Sequence, residues 1–331
     1  MLRVQNLTKT FDHRINAVDQ VSFEVFEGEI FGFLGPNGAG KSVTIRMLTT
    51  VLKPSSGTAI IGGNDISKNA QAVRRKIGVV PQEYTADEDL TGFENVMLCA
   101  TLYGIRRSVA HDRAHELLNL VELTRDADRK VDTYSGGMRR RLEIACGLIN
   151  RPRLLFLDEP TLGLDVQTRA AVWTYIRKLK QEFGMTLFMT THYLEEADSL
   201  CDRIALIDHG KIIKMGTPLE LKESIGGDIV QLEASDQSDL TDIISNVKNV
   251  VEVTKEGSRY RIKTEFGDET APLLIEALRT AGHHVTRISI SQPSLDEVYL
   301  EYTGRSLREE SDSEITTRRR RSVRMTSSAP Q

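Results

Sequence analysis

The 331-residue sequence predicts an α/β protein in which a mostly parallel sheet carries a phosphate-binding loop (P-loop) and a helical subdomain, followed by a small α+β domain. Three features carry that expectation. Apolar strand-like runs alternate with helical patterns through the first two-thirds of the chain, one glycine-rich loop joins such a strand to a helix, and the composition shifts near residue 225.

Residues 2–11 and 21–34 read as strands, rich in β-branched and aromatic side chains, the second broken by a turn at Glu27-Gly28-Glu29. A helix runs from Gly40 to Val51 and stops at Lys53-Pro54-Ser55-Ser56-Gly57. Residues 88–150 read as mainly helical. Thr91-Gly92-Phe93-Glu94 fits a capping box, in which two side chains satisfy backbone amides at a helix start. Met138, Leu142, Ala145 and Ile149 fall on one helix face, and Arg139-Arg140-Arg141 reads as an exposed one. Residues 153–158 and 186–190 read as buried strands with a helix near 166–182 between them. Apolar strands alternating with helices argue for a largely parallel sheet covered on both faces.

Residues 1–225 are therefore expected to form one domain, with its helical subdomain at about 88–150. In residues 226–303, strands near 228–234, 250–255, 259–265 and 285–291 alternate with helices near 238–247 and 269–281. That βαββαβ order is the one of a split-βαβ, ferredoxin-like sandwich. Residues 304–331 hold mixed charge, then Arg318 to Arg321, then Ser, Ala and Pro, and are expected to be a disordered tail.

Composition narrows the function. With 40% apolar and 27% charged residues, the chain can bury a sizeable core. Forty-three Lys and Arg against 47 Asp and Glu give −4, the wrong sign for a protein that wraps a nucleic-acid duplex. No stretch approaches the ~18 consecutive apolar residues of a membrane-spanning helix. Met1-Leu2-Arg3-Val4-Gln5 lacks the apolar core of a signal peptide, so a cytosolic chain is expected. Cys99, Cys146 and Cys201 match neither a zinc pattern nor a redox pair and read as free, mostly buried thiols.

The strongest motif is Gly35-Pro36-Asn37-Gly38-Ala39-Gly40-Lys41-Ser42, which fits G-x-x-x-x-G-K-[ST] between the strand Ile30-Phe31-Gly32-Phe33-Leu34 and a helix. Glycines let the backbone wrap so that its N–H groups face phosphate oxygens, and the helix N-terminus adds about half a positive charge. Lys41 would bridge the β- and γ-phosphates of ATP, and Ser42 would ligate Mg²⁺. Leu154-Leu155-Phe156-Leu157 then ends in Asp158-Glu159. Adjacent acids at the end of a buried strand need a compensating cation or a proton-transfer role. Asp158 is expected to hold the same Mg²⁺, largely through water, and Glu159 to polarise or deprotonate a water attacking the γ-phosphate.

With Tyr134-Ser135-Gly136-Gly137-Met138, which stands in the place of an LSGGQ signature and opens a helix, the sequence resembles the ATP-binding subunit of an ABC transporter. The order of this segment, between the phosphate loop and Leu157 to Asp165 (LDEPTLGLD), strengthens the match. The resemblance implies that Gln82 is the Q-loop residue touching Mg²⁺ and the attacking water, Asp165 the D-loop residue, and His192 the switch histidine at the γ-phosphate. It further implies that Phe11 stacks on adenine and that Ser135, Gly136 and Gly137 meet the nucleotide of a second subunit. In isolation Gln82 would be a surface turn and Phe11 a core residue. Tyr134, Met138 and the segment Pro293 to Leu300 with Thr303-Gly304 narrow the likeness to daunorubicin/doxorubicin-resistance-type subunits of the ABC-2 exporter class. Residues 226–303 are similar to the C-terminal extension of those subunits.

Three positions depart from the family pattern. Val43 replaces a Thr, leaving only its amide for the α-phosphate, Met138 replaces the Gln of the signature, and Leu162 stands where Thr is common. The resemblance implies a homodimer that closes on two ATP molecules and a separate multi-spanning membrane permease through which a drug-like or lipid-like substrate is exported. It places the chain peripherally on the cytoplasmic face of the cell membrane, with no nucleic-acid partner. The competing class is a soluble ABC ATPase acting on ribosomes or nucleic acid. Such proteins usually carry two ATPase modules or a long coiled-coil insertion, and the acidic balance opposes it.

Overall fold

A computed structural model describes residues 1–12, 15–234 and 239–305. Two compact units divide the chain, one holding Met1–Pro218 and the other Leu219–Ser306. Of the expected tail only Gly304 and Arg305 are described, and Arg318 to Arg321 lie outside the described residues.

The first unit builds on two sheets. In the antiparallel one, Ile15–Val25, Leu2–Phe11, Ser56–Ile61 and Asn64–Asp65 are neighbours in that order. Alternation sets its faces, with Leu2 and Val4 buried and Arg3 and Gln5 exposed. The second sheet has the order Lys211–Gly216, Arg203–Asp208, Ile30–Leu34, Thr186–Thr191, Leu154–Asp158, Ile77–Val80. All its pairings are parallel except the outermost, Lys211–Gly216 on Arg203–Asp208. Ile30–Leu34, Leu154–Asp158 and Thr186–Thr191 are buried at every position, as a sheet covered on both faces requires.

A single apolar core joins the two sheets. Leu2, Val4, Phe23 and Ile61 from one meet Phe31, Phe33, Phe156 and Phe188 from the other, with Ile45, Met47 and Leu48 of helix Lys41–Leu48. Phe23 stacks on Phe31 at 5.3 Å between ring centroids, and Phe156 lies 5.5 Å from Phe188. Such pairs add about 0.5–1.5 kcal/mol each beyond the area they bury. This core fixes the strand that delivers the phosphate loop.

The helical stretch resolves into Gly92–Leu102, Arg107–Leu120 and Gly136–Leu148. The capping box forms, Glu94 N–H donating to Thr91 Oγ1 at 3.1 Å and Thr91 N–H to Glu94 Oε2 at 2.8 Å. Two expectations are corrected here. Arg140 is not on an exposed face but is only 1% exposed, because the loop after Ile77–Val80 folds over it. The three cysteines are free as expected, but only Cys201 is fully buried, Cys99 and Cys146 being partly exposed. The second strand starts at Ile15, six residues earlier than its sequence suggests, since Asp19 and Gln20 (φ +51°) interrupt its apolar pattern.

In the second unit the strands lie in the order Val250–Glu256, Arg259–Thr264, Asp228–Ala234, Val285–Ser291, all antiparallel. That is the ferredoxin-like arrangement. Val230, Leu232, Tyr260 and Ile262 pack against Leu274 and Leu278 of helix Gly267–Thr280 and against Ile244 of the short helix Thr241–Ser245. The segment Pro293 to Leu300 enters one more helix, Leu295–Thr303, opened by a Ser294–Glu297 capping box; Glu297 pairs with Arg261 of the same unit.

Candidate active site

Four neighbouring parallel strands deliver the candidate residues to one edge. Leu34 pairs with Thr191, Asp158 with Thr190 and Val80 with Leu157, so Gly35, Glu159, Gln82 and His192 all follow the carboxyl ends of strands. Crevices outside those ends are where open α/β sheets bind ligands.

The phosphate loop is shaped by its glycines. Gly40 has φ +103°, and a Cβ there would sit 2.3 Å from the Ala17 carbonyl oxygen; a Cβ on Gly35 would sit 2.1 Å from that of Ile207. Gly40 also caps helix Lys41–Leu48 without any side-chain acceptor on its first amides. Those amides are donors available to an anion. The Lys41 ammonium, 4% exposed, donates to the carbonyls of Gly35 (2.8 Å) and Pro36 (3.0 Å) and lies 3.1 Å from Glu159 Oε1.

The acids are held by hydroxyls. Asp158 Oδ1 accepts from Ser42 Oγ at 3.2 Å and from Thr190 Oγ1 at 2.6 Å. Burial pushes the Asp158 carboxyl pKa up, against the pull of those two hydroxyls. Glu159 adopts the left-handed φ of +48° and donates its N–H to Thr190 Oγ1 at 3.0 Å. Burial alone would raise its pKa too, but the His192 imidazole and the Lys41 ammonium outweigh burial and hold it at about 2. His192 Nδ1 is 3.2 Å from Glu159 Oε2, yet neither atom has a well-directed hydrogen bond. The Tyr193 ring lies tilted against the His192 ring, 4.1 Å between centroids, and carries the Arg169 guanidinium 4.0 Å from its own centre.

Other candidates lie apart from this cluster. Ser135 is the N-cap of helix Gly136–Leu148, accepting the Met138 N–H at 3.3 Å. The atoms nearest to a Cβ on Gly136 or Gly137 belong to Tyr84, Leu164 and Thr168, not to the Lys41 loop. Asp165 caps helix Val166–Phe183, and the Thr168 hydroxyl and amide hold its carboxyl pKa below the usual range. Gln82 is exposed. Phe11 ends the first strand 40% exposed under the Lys9 ammonium, so it is not a core residue. Val43 is half-buried against the main core. Sequence reasoning overlooked Thr190, whose only signal was its place two residues before His192, and Arg140 and Glu143, whose role depends on tertiary contact.

Residues 18–162 match the family model for the ABC transporter, and residues 216–303 that for the C-terminal domain of DrrA1-3-like ATP-binding proteins. The doxorubicin resistance ATP-binding protein DrrA of Mycobacterium tuberculosis is 41% identical over 310 residues, covering 91% of this chain and 92% of its own. The chain belongs to the DrrA-type ATP-binding proteins of ABC transporters. Another relative is the linearmycin resistance ATP-binding protein LnrL of Bacillus subtilis, 38% identical over 93% of this chain and 100% of its own. Among solved structures, a dimeric ATP-binding cassette in a post-hydrolysis state bound to ADP and Pi superposes with a TM-score of 0.60 at 30% identity, covering 66% of this chain and 98% of that one. The DrrA-type protein is thus an ATPase of the ATP-binding cassette fold, with ATP hydrolysis coupled to transport. No helix among the described residues is long and apolar enough to cross a membrane.

Proposed function

We propose that this DrrA-type chain hydrolyses ATP as a homodimer to drive export of a drug-like or lipid-like substrate through a separate multi-spanning permease, working at the cytoplasmic face of the membrane. The observation that carries the proposal is the cluster of buried Lys41, Asp158 and Glu159 with half-buried His192 at the mouth of the phosphate loop. The names of the relatives, resistance proteins for doxorubicin and linearmycin, support the substrate class.

Within this reading Gly35, Pro36, Asn37, Gly38, Ala39, Gly40 and the amide of Val43 wrap the phosphates, Lys41 spans the β- and γ-phosphates, and Phe11 offers a ring to adenine. The residues also suit Mg²⁺. Ser42 Oγ and Asp158 Oδ1 are hard oxygens 3.2 Å apart, and no group of three or more metal-ligating side chains gathers among the described residues. Mg²⁺ keeps several waters and takes phosphate oxygens as ligands, so two protein oxygens match its habit, and Gln82 would add a third ligand from the neighbouring loop. When bound, it would neutralise charge on the phosphate oxygens.

Glu159 orients and polarises the attacking water. A carboxyl held at about 2 is a weak proton acceptor. Once Lys41 turns to the phosphates, Glu159 loses the ammonium that helps hold its pKa down and becomes a stronger base. His192 meets the γ-phosphate as ADP leaves. Ser135, Gly136 and Gly137, exposed or half-buried and away from their own phosphate loop, face the nucleotide held by a second copy, and Asp165 stands near that junction. The Gln82 loop and the helical subdomain pass closure to the permease.

The test is an affinity pull-down of the tagged Glu159→Gln chain from detergent-solubilised membranes, with and without ATP. Recovery of a multi-spanning membrane protein supports the proposal. Recovery of ribosomes or nucleic acid, with the chain absent from membranes, replaces it with a soluble ATPase.

A further inference from the structure

We infer that Arg140 and Glu143 are positioning residues that clamp the Gln82 loop to the helix opened by Ser135-Gly136-Gly137, so that loop and signature move as one piece. The inference rests on the roles proposed above for Gln82 and Ser135.

Helix Gly136–Leu148 points two buried charges, three residues apart, at one loop. Arg140 Nη1 donates to the Pro81 carbonyl at 2.7 Å and Nη2 to the Gln82 carbonyl at 2.9 Å. Its guanidinium also lies 5.0 Å from the Tyr84 ring centre. Glu143 takes the other polarity. Its Oε1 accepts the N–H groups of Thr85 (2.5 Å) and Ala86 (2.8 Å), and its Oε2 accepts the Thr85 hydroxyl at 2.9 Å. From the loop side, Tyr84 Oη donates to the Gly136 carbonyl at 3.2 Å, reaching the signature itself. Cation meets carbonyls, anion meets amides, and the phenol closes the circuit.

Charge-assisted bonds in a buried setting are the strong class, and each orphaned partner would be costly. A loop held by side chains at both polarities along residues 81–86 cannot slide over that helix without breaking several of them together. Displacement of the signature helix, as a second copy engages Ser135, is therefore delivered to the backbone of Gln82. Coupling of this kind needs a rigid connection between two sites, and the side chains of Arg140, Glu143, Tyr84 and Thr85 supply one.

The test uses steady-state ATP hydrolysis by the full chain. Glu143→Leu should lower kcat roughly 10- to 100-fold, the cost of ångström-scale misplacement of a reacting group. Its KM for ATP should stay near the wild-type value, because the phosphate loop is untouched. Glu143→Gln should restore kcat, since its carbonyl oxygen can accept both amides and its NH₂ can donate to Thr85 Oγ1. Hydrogen exchange should show Thr85 and Ala86 unprotected in Glu143→Leu only. Loss of that protection with kcat unchanged, or a rise in KM alone, overturns the inference. If Glu143→Leu does not fold, Tyr84→Phe takes its place: lowered kcat at constant KM supports the clamp, and unchanged kcat overturns it. Failure of the underlying site assignment would show separately, as wild-type hydrolysis by Glu159→Gln.

Discussion

Thr190 Oγ1 donates to Asp158 Oδ1 across 2.6 Å and itself accepts the Glu159 N–H at 3.0 Å. One side chain on the neighbouring strand thus aligns both acids, and it steadies Glu159 in a left-handed conformation that costs roughly 1–2 kcal/mol for a residue with a Cβ.

Replacing that hydroxyl with a methyl group should separate geometry from charge. Thr190→Val keeps the shape but leaves a buried carboxylate oxygen short of a donor, a loss of about 1–3 kcal/mol of stability. ATPase kcat should fall about tenfold, as for misplaced groups generally. Urea unfolding and steady-state kinetics read the two effects. Wild-type kcat would show that Thr190 does not align the acids.

The phosphate-loop glycines differ in what a side chain would meet. Gly40→Ala places a Cβ 2.3 Å from the Ala17 carbonyl oxygen at φ +103°, whereas Gly38→Ala at φ +79° meets nothing within 4 Å. The first should cost about 2–4 kcal/mol through strain and overpacking together. The second should cost only the backbone strain, about 1–2 kcal/mol. Denaturation midpoints of the two variants decide, and equal losses would contradict the argument.

Glu196 predicts a pH-dependent stability. It is fully buried, its Oε1 accepting the hydroxyl of Thr161 and the indole N–H of Trp173, each at 2.8 Å, and burial raises its carboxyl pKa. A raised folded pKa means that its contribution is fully present below the unfolded value and lost as pH rises through the folded one. Glu196→Gln keeps the acceptor without the charge. Its Tm relative to wild type should therefore increase as pH rises from the ordinary carboxylate value of 4.5 through the raised folded one, by ~2–4 °C for each ~1 kcal/mol of relief. A Tm difference that is flat or declines over that range would contradict the assignment.

The phosphate loop, the acid pair and the signature were legible because each is a contiguous motif whose chemistry depends on local spacing. Helix Val166–Phe183 and the capping box at Thr91 were legible for the same reason. Ile77–Val80 was not, since four residues between a charged turn and Pro81 are too short to show a period. Arg140 was misread because three consecutive arginines look like a solvated face, and only the folded loop at Pro81 and Gln82 supplies the carbonyls that let one of them be buried. What sequence conveyed least was the means by which one motif holds another.

The most direct measurement compares Glu159→Gln with the wild-type chain, reading ATP binding, ATP hydrolysis and sedimentation in the presence of Mg²⁺ and ATP. Undiminished binding, hydrolysis slowed by about 100-fold or more, as for loss of a group that prepares the nucleophile, and accumulation of a dimer are the predicted results. Hydrolysis at the wild-type rate would contradict the central assignment of Glu159 to the attacking water.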